Sequence, residues 1–143
     1  LINGIPVALI DQLDEMHYPP KPIQQPRIPR WCVGILPNKK SLQRVLKCDG
    51  IILEKRSAGN QPDEITPADI RELKTYVDAN RNLSTPFDIV LNGKTSDLDR
   101  TQRQDKLLSL REAGATWWIE GLWDASEETA LEYIRRGPPL SQS

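Results

Sequence analysis

Histidine occurs once in this chain, at His17, and cysteine twice, at Cys32 and Cys48. With a single imidazole, a serine–histidine–aspartate triad or a multi-histidine metal site has little to build on, so no metal centre is expected. The two cysteines show neither the close pairing of a metal knuckle nor the density of a secreted disulfide scaffold, and they read as reduced, buried thiols of a cytoplasmic protein. Long apolar runs are missing as well. None approaches the roughly 20 residues that a helix needs to cross hydrocarbon, so no membrane partner is expected. Neither sign of charge is in excess: 19 Lys and Arg against 20 Asp and Glu give a formal net charge of -1. Without a global positive field, nucleic acid is not an expected partner either. An initiator methionine and a basic-then-apolar leader are also lacking at Leu1, so a trimmed or excised piece is one expectation.

What the chain has in quantity is proline, 12 residues in 143. Five fall between Pro19 and Pro29 (PPKPIQQPRIP), a density that forbids helix and favours an extended, polyproline-like connector. Ahead of it, Pro6 to Met16 places proline in a first helical turn and apolar residues at Val7, Ile10 and Leu13, which predicts a short helix. The remaining length suffices for one domain that buries about two-thirds of its unfolded surface. Hydrophobic residues at 38% and a mean hydropathy of -0.53 describe a globular chain with a lean core.

From Arg30 onward, short apolar runs alternate with capped amphipathic segments. Strands are predicted near 31–36, 50–54, 87–92 and 115–120. Between them, Asn38 caps a helix carrying Leu42, Val45 and Leu46, and Thr66-Pro67 starts one carrying Ile70, Leu73, Tyr76 and Val77. Ser96 or Asp97 is predicted to begin a third helix, with Leu107, Leu108 and Leu110, that ends at Gly114. A last helix runs from a capping box at Asp124 to Glu127 through Arg136 and stops at Gly137-Pro138-Pro139. Four strand-then-helix units in succession imply an α/β fold with a parallel sheet. The chain thus divides into residues 1–29 (short helix and connector), 30–139 (the βα units) and a tail at 140–143.

Ligands of parallel α/β folds bind outside the carboxyl ends of the strands. Those ends deliver Gly34 through Ser41, Glu54, Asn92-Gly93 and Glu120-Gly121 to one rim. A rim of this kind is polar because it is functional or simply because it is wet. Glu54, Asn92 and Glu120 are the pocket-rim candidates, and no catalytic residue is assigned. The polar stretch Lys55 to Thr66 reads as a lid or as a disordered surface loop. Trp117 and Trp118, adjacent on a strand, must point to opposite faces, and packing within the core is the expectation for both.

The run QQPRIPRWCVGILPNKKSLQRVLKCDGII, then TPADIRELKTYVDANR followed by PFDIVLNG, then AGATWWIE followed by IRRGPP, resembles luciferase-like flavin-dependent monooxygenases from about His17 to Pro139. The resemblance implies the C-terminal half of a (β/α)8 TIM-type barrel, parallel strands with helices on the outer face, and reduced FMN or a deazaflavin across the C-terminal rim. It also implies that Gly34, Pro37, Asn38, Lys39, Lys40 and Ser41 supply part of the phosphate grip. Glycine permits close approach, a helix start presents free amides, and lysine adds positive charge. Residues 1 to 30 cannot supply four further strands. The expected partner is therefore a second copy in a homodimer or a missing N-terminal half, and the isolated monomer should bind FMN weakly or not at all. The alternative is a non-catalytic half-barrel that serves oligomerisation or small-ligand binding.

Overall fold

A computed structural model describes the chain from Gln24 to Gly137. The sequence readings on His17, on a helix over 6–16, on the first prolines of the connector and on the tail lie outside the described residues. Gln24 to Pro29 form neither helix nor strand.

Four strands, β1 (Trp31–Leu36), β2 (Gly50–Lys55), β3 (Asp88–Gly93) and β4 (Trp117–Glu120), form one sheet in the order β1-β2-β3-β4, with every neighbouring pair parallel. The helices α1 (Lys39–Val45), α2 (Pro67–Asn80), α3 (Arg100–Ala113) and α4 (Glu127–Arg136) alternate with them. The predicted strands fall within two residues of those observed.

Local chemistry sets most helix ends. Asn38 accepts from the Ser41 amide ahead of α1, and Thr66 and Asp69 exchange bonds in a full capping box ahead of α2, whose first residue is Pro67. Gly114 closes α3 at φ 119°, a left-handed conformation that a Cβ would oppose. Two predicted starts need correction. Helix α3 begins at Arg100 with Asp99 as its cap, rather than at Ser96 or Asp97, and α4 is capped by Ser126, not Asp124.

One face of the sheet carries the core. Leu42 and Val45 of α1, Ile70, Leu73 and Val77 of α2, and Leu110 and Ala113 of α3 pack on Ile51, Leu53, Ile89 and Leu91, with Trp118 at the margin. Gly34 belongs to this face, where a Cβ would come within 2.4 Å of the Ile51 side chain. The absent side chain is thus space used by the core. On the opposite face stand Trp31, Val33, Ile35, Ile52, Val90, Trp117 and Ile119, by strand alternation. No described helix covers them. The expectation that both tryptophans of β4 pack in the core holds for Trp118 alone, because Trp117 is 53% exposed on this second face. The Trp31 indole lies across Gly50, whose Cβ would meet it at 2.7 Å, donates to the Asp88 carboxylate at 3.1 Å, and packs against Trp117 with ring centroids 5.4 Å apart.

The amino ends of the strands are tied by a polar network. Asp49, buried, accepts two bonds from the Arg27 guanidinium and one from the Arg30 amide. These hydrogen bonds, Arg27 foremost, outweigh burial and hold its carboxyl down at about 2. The Arg81 guanidinium binds the carbonyls of Cys48, Leu83 and Thr85 and lies over the Phe87 ring.

Cys32 and Cys48 are joined as a disulfide, so the reading of both as reduced thiols is overturned. Their spacing of 16 residues hid the contact, because α1 returns the chain and brings the two Cα atoms to 6.4 Å. A cross-link over a loop of this size stabilises by about 3 kcal/mol in the chain-entropy account. Thiol titration of the unreduced protein in denaturant should find no free thiol. Cys32→Ser/Cys48→Ser should lower the free energy of unfolding by about 2–3 kcal/mol, and an unchanged urea midpoint would contradict the cross-link.

Candidate functional site

The carboxyl ends of the four strands form a rim with two clefts. At β1, the Gly34–Ser41 segment is organised from within. The Ile35 amide donates to Ser41 Oγ at 3.0 Å, the Asn38 amide to the Ile35 carbonyl, and the Ser41 amide to Asn38 Oδ1. Asn38 and Ser41 therefore fix the shape of the turn around Pro37, while Lys39 and Lys40 project into solvent from the first turn of α1.

At β2 the stretch after Lys55 turns back on itself instead of hanging as a loose loop. Arg56 bridges to Pro62, the Ser57 amide donates to the Gln61 carbonyl, and the Asp63 amide donates to the Lys55 carbonyl. Lys55 reaches Asp69 Oδ2 at 3.0 Å and Asp63 at 3.7 Å. The Asp69 hydrogen bond, against partial desolvation, raises the ammonium above its ordinary range. Lys106 of α3 pairs with Glu64 at 2.8 Å and so closes one side of a cleft of about 370 Å³, floored by Leu53, Leu91, Leu110 and Trp118.

Of the three rim candidates, Glu54 and Asn92 both line this first cleft, whereas Glu120 does not. Glu54 and Asn92 stand on the helix-free face, two residues beyond the paired Ile52 and Val90. Glu54 is partly exposed, with the Arg56 guanidinium 3.4 Å away, and Asn92 is exposed. Glu120 stands on the other face. Its carboxylate accepts from the Thr95 and Ser96 amides, the Thr95 hydroxyl and the Trp118 indole. Burial alone would raise this carboxyl, but the hydrogen bonds, led by the Thr95 amide and the Trp118 indole, hold it below the usual glutamate range. Glu120 thereby pins the β3–α3 loop to β4, and α3 starts after that loop, at a reciprocal capping box between Asp99 and Gln102. No sequence signal marks such a bracket, because the partners lie 24 and 25 residues away.

A second cleft, of about 680 Å³, opens between the loops after β3 and β4, among Asn92, Lys94, Ser96, Trp123 and Ser126. Trp123 is 89% exposed at its edge. Lys94 pairs with Asp97 at 2.7 Å, so its charge is spent locally. Among the described residues no cluster of three or more His, Cys, Asp or Glu is placed to hold a metal ion, and no helix is long and apolar enough to cross a membrane.

Removing the Glu120 carboxylate strands two backbone amides and an indole N–H. Glu120→Ala should therefore destabilise the fold by about 2–3 kcal/mol and speed hydrogen exchange at Thr95 and Ser96. Because the folded carboxyl is held down, its contribution is complete above the ordinary glutamate range and is lost as pH falls through the folded value. The difference between wild type and Glu120→Ala should accordingly shrink in acid, and urea melts at neutral and acidic pH measure it.

No family model, no curated protein and no solved structure matches this chain, so its own geometry carries the functional reading.

Proposed function

We propose that the chain is the C-terminal half of a luciferase-like flavin-dependent oxidoreductase barrel, contributing the phosphate end of a flavin site at the strands' carboxyl rim. One observation carries this reading: four parallel βα units in unbroken spatial order, with helices on one face and apolar side chains on the other. Half of a (β/α)8 barrel requires that arrangement, since the helix-free face becomes the barrel interior.

The residues present fit a phosphate end, though with a narrower cast than the resemblance implies. Lys39 and Lys40 are exposed at the helix start and form no ion pair among the described residues. They would hold the anion. Asn38 and Ser41 shape the turn, Pro37 lies within it, and Gly34 serves the core beneath. When bound, FMN or a deazaflavin supplies the hydride or dioxygen chemistry, and the chain's part is binding, orientation and exclusion of water. Glu54 and Asn92, at the top of the helix-free face, are the polar groups of this chain that would face the flavin ring side. Residues for the rest of the ring site would come from whatever completes the barrel.

The alternative, a half-barrel without catalysis, is favoured by the internal use of Asn38, Ser41 and Glu120: the first two are bonded within the β1–α1 turn, and the third is bonded to the β3–α3 loop and to Trp118. Two measurements separate the readings. Calorimetric titration of the monomer with FMN should give binding weaker than micromolar, and Lys39→Ala/Lys40→Ala should weaken FMN and inorganic phosphate alike, by about tenfold for the pair. Submicromolar binding by a monomer would place a complete ring site within this chain. Faster oxidation of reduced flavin with the protein than without it would favour the enzyme, whereas an unchanged rate with no retained flavin would favour the non-catalytic module.

A further inference from the structure

Among the described helices, α4 is the one with no buried residue. Its Tyr133 hydroxyl lies 3.3 Å from Thr95 Oγ1, and the Arg103 guanidinium covers the Tyr133 ring, so the helix is anchored on one side to α3 and the β3–α3 loop. Yet none of its residues is buried, and Leu131 and Ile134, one turn apart on a single stripe, are exposed, Ile134 by 71%. A helix following a strand in a right-handed crossover sits over the gap between that strand and the next. Among the described residues β4 is the last strand and bonds to β3 alone, so α4 stands beside a place where a further strand would lie. The same gap explains Trp117 and Ile119, exposed on β4 at that edge.

At the other end of the sheet, β1 bonds to β2 alone among the described strands, and Val33 is exposed. The segment from Pro37 to Cys48 carries Lys39, Lys40, Arg44 and Lys47 and no acidic residue. Arg44 donates to the Val33 carbonyl at 3.0 Å, which puts part of this positive charge beside β1. The exposed start of α4 carries Glu127 and Glu128, while Glu132, a turn further on, is paired with Arg136 of the basic last turn. A shallow groove along this helix is lined by Glu127, Glu128, Leu131 and Arg135. Around a barrel, the helix after one strand neighbours the helix after the next, so a β1 added to β4 would set its α1 against α4.

We propose that the free edge of β4 and the exposed stripe of α4 receive β1 and α1 of a second copy of this chain, two such contacts closing an eight-stranded, two-fold pair. The proposal rests on the half-barrel reading and names the partner that reading leaves open. The open sheet faces then meet each other, and the acidic first turn of each α4 meets a basic α1. This charge match, at opposite ends of one chain, is what selects a second copy as the occupant.

A charge-exchange experiment on the full chain, without flavin, tests it. Light scattering coupled to size exclusion at micromolar concentration should give twice the 16.2 kDa chain mass. Glu127→Lys/Glu128→Lys alone and Arg44→Glu/Lys47→Glu alone should each weaken the pair about tenfold or more, since like charges then face each other twice. Mixed in equal amounts, the two variants should recover the doubled mass as a heterodimer, because both contacts regain opposite charges. Leu131→Glu/Ile134→Glu should give a folded monomer, its circular dichroism unchanged. A wild-type mass of one chain would overturn the proposal and favour residues 1–23 or a separate N-terminal half as the cover. A dimer indifferent to the exchanges, or variants that the mixture fails to rescue, would also overturn it, by showing a different contact. Flavin enters none of these readings, so the pair can fail while the cofactor proposal stands, and the reverse.

Discussion

Parallel strands cannot be joined by a tight turn, and the crossover that joins them is right-handed. When the strands also lie in the sheet in the order of the chain, β1-β2-β3-β4, every crossover helix lands on the same side. Most of the molecule follows from this. Helices α1, α2 and α3 share one face and build one core there. The other face is left to side chains alone. A doubly wound sheet escapes the problem by reversing its strand order partway, which sends later helices to the opposite face. This sheet does not reverse, and so its apolar second face calls for a cover outside the described elements.

The two ends of the sheet are built differently. At the amino ends, backbone and side chains are locked together: Arg27 on Asp49, Arg81 on three carbonyls, and a disulfide from β1 to the approach of β2. The depressed Asp49 carboxyl means that this lock persists well into acid and loosens only as pH falls toward about 2. At the carboxyl ends the turn after β1 and the one after β2 are bonded mainly within themselves, Glu120 and the Lys106–Glu64 pair are the side-chain ties between neighbouring elements, and clefts lie between the loops. A locked end and a looser end with clefts between its loops is the division of labour on which α/β binding sites are generally built.

Much of this was legible in the sequence because the signals are local. A run such as WCVGIL or GIIL, bounded by proline, aspartate or glycine, leaves little choice but a buried strand. Thr66-Pro67 and Gly114 each state a helix end through their own backbone preferences. What escaped was set by contacts distant along the chain. Nothing near Ser96 tells that Glu120 will hold its amide, and nothing near Cys32 tells that Cys48 returns beside it. The rim candidates divide for a related reason. Alternation along β4 sends Glu120 to the helix-bearing side, while Glu54 and Asn92 fall on the other. That parity depends on which face the helices choose. At β1, residue type at the turn was readable, but how its donors are spent was not: Asn38 and Ser41 look like ligand groups until their partners prove to be Ser41 and Ile35.

The indole of Trp31, laid across Gly50 onto Asp88 and against Trp117, spans all four strands near their amino ends. Whatever encloses the helix-free face would inherit this slab as a floor. A chamber formed above it would be narrowed at its amino end on this chain's side and wider at the carboxyl rim. Water and any small molecule would enter and leave past Ile35, Glu54, Asn92 and Ile119, and a large residue in place of Gly50 would lift the floor and shorten the chamber from below.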